Sequence, residues 1–422
     1  MATTTTIPGP ARGGTAMALV AWLVTALYFF YQYALRSAPA VMMPELSTAF
    51  GLSTAGVASL LGMFYYGYSP FSLVAGAALD RFGARSAIPV GALTLGVGAL
   101  LFGTGHPALA YLGRFLQGVG GAVAFIGAVY IVSRSFAPSS AATLIGATQM
   151  FGMAGGSAGQ FVVGPIIASG VSWQQFWLAM GTAGVVMAVL LFFLIPAEKV
   201  SGNADWLAGA GRSLALVFRN RQSLLCGAIA GLLFIPTTIF DMVWGVRYLQ
   251  DAHGLAYGEA VVRSSMVPLG WIVGCPLLGF ISDRLGRRKP VVFGGAVVLL
   301  ACLAWILFGI HGVLPPYVVG LVAGIASGAA VLPTTISKES NPPELAGTST
   351  GVVNFLNFTF SALLGPVFAH VLTNASGGAT TMTLEHYQFA FQPMLFAVGL
   401  AIVLTWFLRE TGPAARVSGA RG

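Results

Sequence analysis

Arg36, Arg114 and Asp241 carry charge inside long apolar runs of this chain. A charge is expensive in the middle of an apolar helix, so each must face a bundle interior, a wet cavity or a partner. Arg36 follows Tyr28 and Gln32 at intervals of four residues, which puts the three on one helix face. Its guanidinium is a planar, permanently charged donor fork that matches a carboxylate. A snorkelling arginine at the membrane interface has the same signature. Asp241 shares a helical face with Thr237, Trp244 and Tyr248. A carboxyl group there is a candidate proton carrier or a holder for a substrate amine. An ion pair with Arg36 or Arg114 gives it a packing role instead. Arg114 and Gln117 are three apart and share a face, with Gly121 one turn further. They suit proton coupling or conformational control, or an arginine held by backbone carbonyls. Asn354, Asn357 and Ser361 form another polar stripe, for cavity lining or interhelical hydrogen bonds. The expected substrate contacts are therefore Arg36, Gln32, Tyr28, Trp244, Asn354 and Asn357, and the expected proton-coupling residues are Asp241 and Arg114. Arg36 and Asp241 are expected to face one central cavity, where a substrate carboxylate competes for Arg36 and frees Asp241 to take up a proton.

The elements that position these residues follow from composition. Of the 422 residues, 56% are apolar and only 8% are charged. A soluble chain of this length needs more charge to cover its surface. The apolar runs have the length that spans a bilayer as helix. Twelve spans are expected, near 16–43, 55–78, 87–105, 108–133, 141–169, 173–195, 223–249, 263–281, 291–310, 316–336, 345–373 and 387–408. The linker 196–222 is more polar than its surroundings and separates two groups of six. The domain reading is a cytoplasmic tail (1–14), a first bundle (15–195), the linker (196–222), a second bundle (223–408) and a cytoplasmic tail (409–422). The fold class is thus an all-α membrane protein, twelve transmembrane helices in two six-helix pseudo-symmetric bundles.

The net charge of +8 does not imply nucleic acid. Of the 20 lysines and arginines, all but Arg36, Arg114, Arg247 and Arg263 fall on one side of the twelve-span topology. Positive loops mark the cytoplasmic side, so both termini are expected there. Cys226, Cys275 and Cys302 lie in spans without metal-ligand spacing and read as packing residues. The sequence has no phosphate-binding P-loop, no H-E-x-x-H and no nucleophile elbow. No enzyme, cofactor or metal is expected. The expected partners are the lipid bilayer, a small-molecule substrate and protons, with the chain a monomer.

A repeat joins the two halves. The pattern G-x-x-x-D-R-x-G-x-R occurs at Gly76, Asp80, Arg81, Gly83 and Arg85, and recurs at Gly279, Asp283, Arg284, Gly286 and Arg288, with Arg287 as an added charge. Asp80 and Asp283 are as far apart in sequence as Gly51 and Gly254, which follow spans one and seven. The first glycine of each pattern permits close helix contact and the second a tight turn. The aspartate can pair with arginines and a helix N-terminus across the bundle, latching the cytoplasmic side. Two copies of this pattern, each between the second and third span of its half, resemble the signature of the major facilitator superfamily. Arg114, Gln117, Gly118 and Gly120 resemble that superfamily's fourth-span motif. Tyr33, Ala34, Leu35 and Arg36 resemble the first span of organic anion transporters related to sialin and the vesicular glutamate carriers, in which the arginine contributes to anion recognition. Gln32 and Ala38 stand where that pattern has asparagines, and Gly121 stands in place of its fourth-span carboxylate.

These resemblances imply a bacterial inner-membrane secondary transporter that works by alternating access, with the site near the midplane between halves. The expected activity is proton- or ion-coupled symport of a small organic anion or zwitterion, such as a monocarboxylate, an amino acid or a short peptide. The superfamily's antiporter signature is missing from the fifth span, and an efflux antiporter is the alternative. A membrane sensor that binds without moving its ligand is the remote one. A reporter fused at Gly422 is expected to give a cytoplasmic signal, and a signal from the opposite side breaks the twelve-span topology.

Overall fold

The computed structural model describes residues 12–52, 54–198, 206–309, 315–377 and 382–414. The amino-terminal tail up to residue 11, the middle of the linker at 199–205 and the tail from residue 415 lie outside the described residues. Nearly everything described is helix, because backbone groups in lipid must find their hydrogen bonds within the chain. Eleven helical stretches of the described residues are long and apolar enough to cross a bilayer. The 29-residue helix Thr54–Phe82 stands between the first and second of these and completes a set of twelve.

The first six spanning helices are α1 (Arg12–Ser37), α2 (Thr54–Phe82), α3 (Ala84–Gly103), α4 (Pro107–Ser135), α5 (Ala141–Phe161) and α6 (Trp173–Leu194). A short helix, Trp206–Arg219, precedes the second six. Of these, α7 is composite: Arg221–Ile235, a π-helical stretch Pro236–Gly245, then Val246–His253. Pro236 has no N–H to give the preceding turn, which breaks the α-helical ladder where the wider helix begins. The helix Tyr257–Ser264 leads into α8 (Met266–Leu285) and then α9 (Lys289–Phe308). Helix α10 runs Pro316–Ser327 and resumes at Leu332–Glu339 after a 3-10 turn. The last two are α11 (Ala346–Ala375) and α12 (Leu384–Trp406).

The halves meet chiefly through α2 against α11 and α5 against α8. Small residues let these backbones touch. A Cβ on Gly76 would overlap the Gly347 carbonyl, and one on Gly351 the Ser72 carbonyl. On the other seam, Gly146 abuts the Cys275 carbonyl and Gly279 that of Ala142. All four contacts sit toward the end of the molecule that carries Asp80 and Asp283, called the motif end below. Toward the opposite end the seams loosen. Gly62 on α2 and Gly365 on α11 have open space beside them. There a gap of about 320 Å³ separates Met153, Gly156 and Phe161 of α5 from Met266 and Leu269 of α8. The halves are joined at the motif end and part at the other.

Gly146→Val forces a branched side chain into the Cys275 carbonyl, and overpacking of this kind costs roughly 1–3 kcal/mol. The variant is expected to unfold at a lower temperature in detergent; an unchanged thermal midpoint contradicts the close contact.

Candidate functional site

The aspartates of the repeated pattern each end a helix and cap another. Asp80, at the end of α2, accepts from the backbone N–H groups of Gly347 (2.8 Å) and Thr348 (2.6 Å) and from the Thr348 hydroxyl (2.6 Å) at the start of α11. Asp283, at the end of α8, accepts from the N–H groups of Ala142 (3.3 Å) and Thr143 (2.7 Å) and from the Thr143 hydroxyl (2.7 Å) at the start of α5. The first-turn N–H groups are unpaired within their own helix and carry the positive end of its dipole, so a carboxylate is the natural cap. Each bond joins one half to the other.

The turns that follow use the second glycines, Gly83 at φ +74° and Gly286 at φ +63°, where a side chain would be strained. The two arginines then differ. Arg288 is fully buried and pairs with Asp283 and with Glu339 (2.9 Å), and it donates to the Pro138 carbonyl of the other half (2.9 Å). Burial alone works against its charge, but hydrogen bonds and charge from Glu339, then Asp283, hold its pKa above the usual arginine value. Arg85 instead lies over the Phe192 ring at 5.0 Å. Arg81 is half-buried, whereas Arg284 and Arg287 are exposed.

Between the halves lies a central cavity of about 30 Å³. Tyr33 of α1, Tyr68 of α2 and Gln149 of α5 face it from one side. Phe234 of α7, Trp271 of α8, and Asn354, Asn357 and Phe358 of α11 face it from the other. Asn354 donates to the Ser72 hydroxyl (2.8 Å), and the Asn357 side-chain amide oxygen is buried without a partner. Arg36 sits beside this cavity in a cage of rings. Its guanidinium carbon is 4.9 Å from the centres of Tyr33 and Tyr65, 5.1 Å from Phe358 and 5.8 Å from Phe64. Its Nε donates to the Tyr65 hydroxyl (3.2 Å), while one terminal nitrogen is buried with no acceptor. Arg36 forms no ion pair among the described residues.

Other expected site residues are placed elsewhere. Tyr28 donates to the Gly120 carbonyl (2.7 Å) inside the first bundle, away from the central cavity. Gln32 is buried against Gly121, and neither of its amide atoms has a partner. Arg114 donates to the Leu35 carbonyl (3.3 Å), the Gln117 side chain (2.6 Å) and the Leu61 carbonyl (3.5 Å), so it ties α4 to α1 and α2.

Asp241 does not share the cavity beside Arg36, contrary to the expectation from sequence. It faces a separate cavity of about 70 Å³ inside the second bundle, with Thr237, Gly245, Tyr248, Arg263 and Ser264. It accepts one hydrogen bond, from the Ser264 hydroxyl (3.1 Å). The reason is that the face carrying Thr237, Asp241 and Tyr248 turns into the second bundle, while Ala230 and Phe234 of the same helix turn to the central cavity. The wider repeat of the π-helical stretch puts Gly245, not Trp244, on that face, and Trp244 lines neither cavity. Sequence reasoning missed the aromatic cage, Arg263 and Glu339, because their partners come from other helices.

The chain matches the family model described as Major Facilitator Superfamily over residues 21–366. It is 27% identical to the hexuronate transporter of Bacillus subtilis over 364 residues, 81% of this chain and 85% of that protein. It is 24% identical to the membrane sensor protein UhpC of Escherichia coli over 427 residues, 94% of this chain and 92% of that one. Its fold is similar to a crystal structure of the Escherichia coli fucose:proton symporter FucP. The TM-score is 0.73 at 16% identity, over 95% of this chain and 100% of that one.

Asp80→Asn removes a charge from three hydrogen bonds and leaves an amide N–H₂ facing donors. Each charge-assisted bond is worth about 1.5–3 kcal/mol. The variant is expected to insert and fold, but to lengthen the distance between spin labels at Phe82 and Glu344. An unchanged distance distribution means that the carboxylate does not hold the halves together.

Proposed function

Since the chain belongs to the Major Facilitator Superfamily, we propose that this secondary transporter moves a small hydroxylated organic acid across the bacterial inner membrane by proton-coupled symport. The observation that carries the reading is Arg36, a guanidinium among rings with a free N–H and no carboxylate partner among the described residues. A permanent charge left in a low-dielectric site awaits an anion. The hexuronate transporter among the relatives supports a sugar acid in particular. Such a ligand brings one carboxylate for Arg36 and several hydroxyls. Gln149, Asn354 and Asn357 face the cavity as partners for those hydroxyls, and the Phe234 and Trp271 rings suit the apolar face of a sugar.

The motif end is the cytoplasmic side in this reading, so the conformation described is closed to the cytoplasm and parted toward the outside. Asp241 is the proton carrier. Arg114 keeps a fixed positive charge against the Phe64 ring that Arg36 also meets, with its guanidinium carbon 5.2 Å from the ring centre. A second reading, a sensor that binds its ligand without moving it, draws on the likeness to UhpC.

Uptake separates the two. Purified protein in liposomes is expected to accumulate radiolabelled D-glucuronate when the interior is alkaline. Arg36→Ala is expected to abolish uptake. Arg36→Lys exchanges a bidentate fork for a point charge and is expected to raise KM about tenfold, or about 1.4 kcal/mol. Unchanged affinity in Arg36→Ala rejects the anion site. Thermal stabilisation of the wild type by glucuronate without uptake favours the sensor.

A further inference from the structure

We infer that proton and substrate occupy two separate chambers on either side of α7, joined by the hydrogen bond between Thr237 and Trp271. This rests on the reading of Asp241 as the proton carrier. It replaces direct competition for Arg36 with coupling through the helix wall.

The proton chamber is the cavity inside the second bundle. Asp241 is about nine-tenths buried, accepts a single bond from Ser264 and forms no ion pair among the described residues. The other titratable groups facing the cavity are Arg263, on the helix before α8, and Tyr248, whose hydroxyl is committed to the Ile306 carbonyl (2.6 Å). The lining residues of α8, α9 and α10 bring no titratable side chain. A buried carboxylate with one neutral donor is poorly compensated, and gaining a proton removes its charge. Only the O–H bond forms and breaks in this step. The proton enters from one aqueous side and leaves to the other, while the Ser264 hydroxyl keeps its own.

Between the chambers stands one polar contact. Thr237 lines the proton chamber, and its hydroxyl oxygen accepts from the Trp271 indole N–H (2.8 Å). Trp271 lines the substrate cavity. Its ring meets Phe234 at 5.2 Å, Phe234 meets Phe358 at 5.9 Å, and Phe358 covers Arg36 at 5.1 Å. Packed contacts therefore run from Thr237 to the anion site, crossing from one half to the other.

The element able to move is the π-helical stretch itself. It holds ten residues, Pro236–Gly245, with Thr237 and Asp241 both inside it. Helices of this kind are rare beyond a single turn, and returning to α-helical bonding rotates the residues within them. A change of charge on Asp241 biases that choice, and rotation at Thr237 pulls on the Trp271 indole. An anion on Arg36 biases it from the other side, because linkage is reciprocal.

The experiment uses the full chain in liposomes with D-glucuronate as the probe. Thr237→Val deletes the hydrogen bond with little change in volume, whereas Thr237→Ser keeps it. Thr237→Val is expected to keep glucuronate counterflow near the wild-type rate and to lose at least about tenfold in pH-driven accumulation, and Thr237→Ser, which keeps the hydroxyl, is expected to retain both. Asp241→Asn is expected to keep counterflow and to lose the response to pH altogether. Full pH-driven accumulation in Thr237→Val, with Asp241→Asn still defective, overturns the link and leaves the proton carrier standing. Accumulation that still follows the pH gradient in Asp241→Asn overturns the carrier reading itself, as does accumulation driven by a sodium gradient at equal pH. A second measurement needs no substrate. Trp271 emission, taken as the difference between wild type and Trp271→Phe, is expected to shift with pH and to become flat in Asp241→Asn and Thr237→Val. A flat difference in the wild type refutes the coupling.

Discussion

A lipid interior provides no counter-ion and no water, so every charge in this protein must be answered by the protein itself. The answers differ in kind. Asp80 and Asp283 are answered by the N-termini of α11 and α5. Arg288 is answered by two carboxylates, and Arg114 by carbonyls and an amide. Arg36 has rings and one hydroxyl, and Asp241 has one hydroxyl. The first four each have several hydrogen-bond partners and hold helices together. The last two are underserved, and that deficit is the ground on which ligand and proton binding are proposed for them.

The satisfied charges also explain why the halves meet at one end. Each carboxylate cap needs the approach of a helix start from the opposite half, and the glycines at Gly76, Gly279, Gly347 and Gly351 let the backbones come close enough. Cap and glycine are mutually dependent: a larger side chain would carry the N–H groups out of reach, and without the carboxylate the helix starts would be buried unpaired. The two seams are not equal. The Asp283 seam adds Arg288, Glu339 and the Pro138 carbonyl, with Glu410 accepting from the Arg288 backbone (2.6 Å). Buried ion pairs lose much of their Coulomb energy to desolvation. The extra network therefore confers geometry at this seam more than strength.

At the opposite end the same packing logic is relaxed. Gly62 and Gly365 face open space, and the α5–α8 seam widens into a gap. A molecule joined at one end and parted at the other is poised for the rocking of one bundle against the other, with the central cavity at the pivot.

The helices, their number and the repeated Asp-Arg-x-Gly pattern were legible in the sequence, because both depend on short-range features: runs of apolar residues and fixed spacings. The need of Arg36 for company was legible too, since a lone arginine in an apolar run is conspicuous whatever surrounds it. Its actual company was not, because Phe64 and Tyr65 come from α2 and Phe358 from α11. The position of Asp241 depended on the tertiary structure in a further way. The face it shares with Thr237 and Tyr248 was legible, but the cavity that face turns to was set by the packing of the second bundle, and the π-helical stretch put Gly245 in place of Trp244 on it. Sequence alone thus determined which residues must be sheltered from lipid. Only the packing of twelve helices decided which shelter each received, because the partners lie far apart in the chain and are brought together by the fold.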